Sequence, residues 1–194
     1  MSGFHRHRRS KLVFATFSVF EADLLRSLAG QLVELLRNEA AQPRDDVDPF
    51  EAMMDFSGPT AEPEDPVLAR LFPTAYPGDE EAASEFRRFT EGALRDGKAA
   101  AACTIIEGLE DAGLPSELSE DGLFIDVELD EADAQSWLRS FTDLRLALAT
   151  RLGIEEGDEA LWHALPEEDP RAQAHDIYEW VGYLQETLVE ALTA

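Results

Sequence analysis

Two segments of the chain run from an alternating apolar stretch into a helix start through the same residues, Glu-Ala-Asp: VFATFSVFEAD at Val13 to Asp23 and LFIDVELDEAD at Leu123 to Asp133. Leu12 to Phe17 and residues 122–129 are rich in β-branched and aromatic side chains and read as strands, with Phe124 facing away from Ile125, Val127 and Leu129. A short strand must find partners for its backbone N–H and C=O groups. The economical fold pairs these two with each other and packs their helices against them. The expectation is a mainly α fold, a bundle of about five to six helices with a small two-stranded β-sheet.

The helices announce themselves by their starts. Ser18 and Glu21 match a capping box, and Leu24, Leu25, Leu28, Leu32, Leu35 and Leu36 then recur at spacings of three and four, which predicts a helix from Val19 to Glu39. Asp65-Pro66 reads as a cap followed by proline at the first helical position, opening a short helix that Pro73 stops. Asp79 caps a further helix whose predicted inner stripe is Phe86, Phe89, Ala93 and Leu94. Asp96-Gly97 is expected to break it before a separate helix from Ala99 to Ala112. Asp130 starts a long helix through Trp137, Phe141 and Leu148 that Gly153 ends. Asp169-Pro170 opens the last helix, with Ile177, Val181, Leu184, Leu188 and Leu192 on one side.

Between the first helix and Asp65, residues 40–64 combine four prolines with many acids and read as a loop. Within it, Phe50, Met53, Met54 and Phe56 suggest one turn that docks on the core or on a partner. The organisation read from the sequence is a basic disordered tail over 1–11 and a single helical domain over 12–194 that contains this acidic loop. The tail with the apolar run Leu12 to Phe20 has the outline of an export signal. Glu21 and Asp23 follow at once, however, no small-residue cleavage site is present, and the apolar pattern continues with helical spacing. A cytoplasmic protein is expected.

Charge narrows the partners. The chain carries 41 acidic and 16 basic side chains, a formal net charge of -25; residues 1–11 hold four of the basic ones and no acid, so residues 12–194 carry -29. Affinity for nucleic acid rests on Lys and Arg neutralising phosphates, so direct nucleic-acid binding is disfavoured. The opposite partner, a protein with a basic surface, is favoured by long-range attraction. No stretch approaches the ~20 apolar residues of a membrane span.

No recognised catalytic constellation is present. The chain lacks a nucleophile elbow, an H-E-x-x-H pair, a phosphate loop and a dinucleotide fingerprint, and neither a cofactor nor a metal is expected. His5 and His7 lie in the tail. His163 and His175 are separated by an acidic, proline-containing loop and share no helical face. Cys103 is the one thiol. Reactivity requires thiolate, favoured by nearby positive charge, and the local sequence surrounds Cys103 with alanine and isoleucine, so it is a weak redox candidate.

The opening strand and leucine helix, DPVLARLFPTAY at Asp65 to Tyr76, EFRRFTEGALRDGK at Glu85 to Lys98 and TDLRLALATRLGI at Thr142 to Ile154 resemble an actinobacterial domain-of-unknown-function family that includes an oxidative-stress regulator. The resemblance implies a non-enzymatic, redox-linked regulator of transcription acting through protein contacts, with a sigma factor as partner and links to cysteine biosynthesis. It also implies a switch of two cysteines separated by three residues. Here Cys103 stands alone, with Ala99 and Glu107 at the positions four away, so only an intermolecular disulfide or a capped thiol remains. The alternatives are a structural or proteolysis-adaptor protein without redox sensing and, third, a hydrolase using loop carboxylates and His163.

Overall fold

The computed structural model describes residues 3–8, 10–38, 58–115, 124–166 and 168–194. The order of elements is β1 (His5–Arg6), β2 (Val13–Ser18), α1 (Val19–Asn38), α2 (Pro66–Leu71), α3 (Glu80–Asp111), β3 (Phe124–Leu129), α4 (Glu131–Leu152), α5 (Glu159–His163) and α6 (Pro170–Thr193). The fold is mainly helical, as expected. The apolar turn read at Phe50 to Phe56 lies outside the described residues.

The two strands seen in the sequence do pair. β2 and β3 are antiparallel, from Val13 opposite Leu129 to Ser18 opposite Phe124. Strand alternation turns Val13, Ala15, Phe17, Ile125, Val127 and Leu129 inward, each at most 4% exposed, while Phe124, Asp126 and Glu128 face out. The sheet has three strands rather than two, because β1 pairs antiparallel with the other side of β2.

That third strand comes from the segment read as tail, and Phe4 is the reason. Its ring is buried, with centroids 5.9 Å from Phe17 and from Trp137. Its N–H donates to Thr187 Oγ1 at 3.1 Å, and Arg6 donates to the carbonyl of Leu192 at 3.2 Å. One aromatic side chain among many charges therefore anchors the segment to the core and to α6.

The predicted caps form. The Ser18 N–H donates to Glu21 Oε2 at 2.8 Å and the Glu21 N–H donates back to Ser18 Oγ at 3.2 Å. Asp65, Asp79, Asp130 and Asp169 each accept from first-turn N–H groups of the helix that follows. Gly153 closes α4 in the left-handed region at φ 70°, where a side chain would be strained.

Helix α3 departs from expectation in two ways. It runs unbroken through Asp96-Gly97, and its apolar stripe faces solvent: Phe86, Phe89 and Leu94 are 42%, 63% and 49% exposed. Arg87, Glu91 and Arg95 are buried instead. Arg87 donates to Glu91 Oε2 at 2.5 Å and to the carbonyl of Phe72 at 3.2 Å. Arg95 donates to Glu91 Oε1 at 2.7 and 2.9 Å and to the carbonyl of Leu36 at 3.2 Å, with its guanidinium over the Phe72 ring. These bonds clamp the middle of α3 to the ends of α1 and α2. A mid-helix glycine costs about 1 kcal/mol relative to alanine, too little to break a helix held on both sides. Buried Arg95 and Ala99 supply that hold on either side of Gly97.

Candidate functional site

A polar groove of about 350 Å³ lies between α3, β3 and the start of α4. The groove exists because α3 and α4 cross closely at Gly108: a Cβ there would meet the Trp137 ring at 3.0 Å. The Trp137 indole N–H donates to the carbonyl of Thr104 at 3.1 Å and fixes the crossing. Glu107 and Asp111 project from α3, Asp126 and Glu128 from the outer face of β3, and Asp133 from the first turn of α4. All five carboxylates are exposed, and among the described residues no lysine, arginine or histidine lines the groove. Asp126 is braced by Thr16, whose hydroxyl donates to it at 2.7 Å.

Among the described residues no group of three His, Cys, Asp or Glu side chains is placed to hold a metal ion. The groove therefore presents diffuse negative charge, suited to several cations on a partner surface.

Cys103, the thiol singled out from the sequence, is half-buried on the α1 side of α3 and packs against the core. The surroundings are less neutral than the local sequence implies. Arg37, in the last turn of α1, brings a guanidinium nitrogen to 4.0 Å from Sγ, a contact 66 residues apart in the chain. Ala99, one turn before Cys103, is buried, whereas Glu107, one turn after it, lines the groove.

His163 and His175 do come together, although they share no helix: α5 packs on α6 and places their rings 6.1 Å apart, edge to face. His175 stacks flat on Trp162 at 5.1 Å and sits 4.0 Å from Glu179. Asp158 accepts from the Glu155 N–H, which is the main reason its carboxyl lies below the usual range, and from the Trp162 indole. These contacts tie α5 to α6. They do not place His163 in the acid-lined groove, whose walls are α3, β3 and α4. His5 belongs to β1 and stacks on Phe14, and His7 meets the same ring edge-on.

The sequence reading missed the Arg87–Glu91–Arg95 triad, although its i, i+4 spacing of opposite charges was visible in EFRRFTEGALRDGK.

A helical body on a three-stranded antiparallel sheet, with an acid-faced groove and one thiol beside an arginine, defines a small mainly α protein with a built surface for polar contacts. The chain belongs to a family described as a domain of unknown function (DUF2017), whose model matches residues 1–192. The oxidative stress regulator AosR of Mycobacterium tuberculosis is 32% identical over 187 residues, covering 89% of this chain and 78% of that protein. The putative oxidative stress regulator AosR of Mycobacterium leprae is 33% identical over 188 residues, covering 90% of this chain and 79% of that protein. No solved structure matches the chain. The family resemblance read from the motifs is thus the family to which the chain belongs. Among the described residues no helix is long and apolar enough to cross a membrane.

Proposed function

We propose that this protein is a non-enzymatic regulator of the oxidative-stress response that acts by binding a partner protein with a basic surface. The observation that carries the reading is the groove between α3 and β3, lined among the described residues by five carboxylates and no cation. The names of its relatives support the regulatory role. A transcription component such as a sigma factor supplies the complementary charge, because proteins that hold DNA are basic where they touch phosphate. The body, at -29, is repelled by DNA itself.

A thiol contribution is supported by the Arg37 contact to Cys103. With a single cysteine in the chain, oxidation joins Cys103 to another molecule, as a mixed disulfide or a capped thiol.

Affinity capture from native cells at low and raised salt tests the reading. Recovery of a basic transcription component that is lost as salt rises supports it, since screening weakens attraction between exposed charges. Capture of no basic protein at either salt overturns it.

A further inference from the structure

One wall of the acid-lined groove is also the edge of the sheet. β2 pairs with one side of β3, and among the described residues no strand occupies the other. In an antiparallel strand alternate residues direct N–H and C=O to opposite sides, so β3 turns a row of backbone donors and acceptors away from β2. Among the described residues no loop or side-chain hydrogen bond reaches the backbone of Phe124 to Leu129. Beside this edge stands α3 with Glu107 and Asp111. Among the described residues the result is a strip with an unoccupied hydrogen-bonding ladder on one side and a charged wall on the other.

A free edge accepts a further strand, and charge decides which strand enters. A second copy of this chain is a poor occupant, because its own β3 would set Asp126 and Glu128 against Asp126 and Glu128. The chain's own basic residues near Arg6 lie beyond β2, on the opposite edge of the sheet. An extended segment with Lys or Arg at every second position fits. Its side chains recur every ~7 Å on one face, as those of Asp126 and Glu128 do, and cross-strand neighbours lie ~5 Å apart.

We propose that the groove takes an extended basic segment of a partner protein, which adds a fourth strand to the sheet along β3 and sets its cations against Asp126, Glu128 and Glu107. This rests on the reading of the groove as the partner site and specifies the form the partner takes there, a strand rather than a helix.

The test uses the full chain and a short fluorescent peptide of alternating lysine and valine, followed by anisotropy, with hydrogen exchange at the β3 amides. Saturable binding, slowed exchange at β3, about tenfold weakening by Glu107→Gln with Glu128→Gln, and about tenfold weakening when alternate peptide amides are N-methylated are expected. N-methylation keeps every charge and removes ladder donors. Equal binding of the methylated peptide, or of a helix-forming lysine peptide, overturns strand addition and leaves the groove as a site for charge alone. The Gln substitutions are on exposed side chains, and an unchanged circular dichroism spectrum confirms that they leave the fold intact. If the peptide behaves as expected while capture of the native partner is indifferent to the same substitutions, strand addition stands and the functional reading fails.

Discussion

Arg95 grips Glu91 through two nitrogens, at 2.7 and 2.9 Å, in a place where both side chains are more than nine-tenths buried. Arg87 takes the other carboxylate oxygen, and the two guanidinium groups also donate to the carbonyls of Phe72 and Leu36. Such a cluster costs desolvation and returns it only while complete. Glu91→Ala is therefore expected to destabilise the fold by about 3 to 5 kcal/mol in urea unfolding, since it removes the buried carboxylate that both guanidinium groups share. A loss below about 1 kcal/mol would mean that water already reaches them.

The outward turn of the Phe86, Phe89 and Leu94 stripe makes an opposite forecast. Phe89→Ser is expected to change stability by no more than about 0.5 kcal/mol, as exposed positions do. Trp137→Ala, at a wholly buried ring, is expected to cost about 3 to 5 kcal/mol. Comparable losses at the two sites would contradict the orientation of α3.

Asp65 links stability to pH. Burial raises its carboxyl pKa, but the hydrogen bond from Arg151 and the N–H groups of Val67 and Leu68 together outweigh that and hold it below the usual carboxylate value. A depressed folded pKa contributes stability that is complete above the unfolded carboxylate value of ~4 and is lost as pH falls through the folded pKa. Asp65→Ala is expected to cost about 1 kcal/mol near neutral pH, the value of a helix cap. Paired urea titrations at neutral and acid pH check this: the cost of the substitution should shrink at acid pH, and a constant cost would assign the effect to packing.

For the thiol, peroxide with excess glutathione is expected to add one adduct, detected by intact mass, and Cys103→Ser to abolish it. Arg37→Met removes the guanidinium nitrogen that lies 4.0 Å from Sγ and is expected to change the rate of adduct formation severalfold. An unchanged rate in the Arg37 variant would show that the guanidinium contact has no bearing on reactivity.

How far the fold could be read depended on how local its causes are. The caps at Ser18, Asp65, Asp130 and Asp169 were legible because a cap and the N–H groups it accepts from lie within about three residues. The pairing of β2 with β3 was legible because two isolated apolar strands have few other solutions. The face that α3 buries was not, since periodicity marks an apolar stripe without saying which side finds a partner. That choice was made by the carbonyls of Phe72 and Leu36, one of them 59 residues from Arg95. β1 was hidden for a similar reason: Phe4 owes its burial to Phe17, Trp137 and Thr187. The same holds at the site. The acidity was evident from composition, whereas the gathering of Glu107, Asp111, Asp126, Glu128 and Asp133 into one groove required the crossing of α3 and α4 at Gly108.

In the proposed function, the acid-lined groove is where this protein meets its partner. Affinity capture from native cells with the wild-type chain and with the charge-reversed pair Glu107→Lys and Asp111→Lys measures it directly. Both side chains are exposed, so the variant should melt within a few degrees of the wild type. The variant is expected to lose the basic partner that the wild type retains at low salt. Equal recovery of that partner by a folded variant would contradict it.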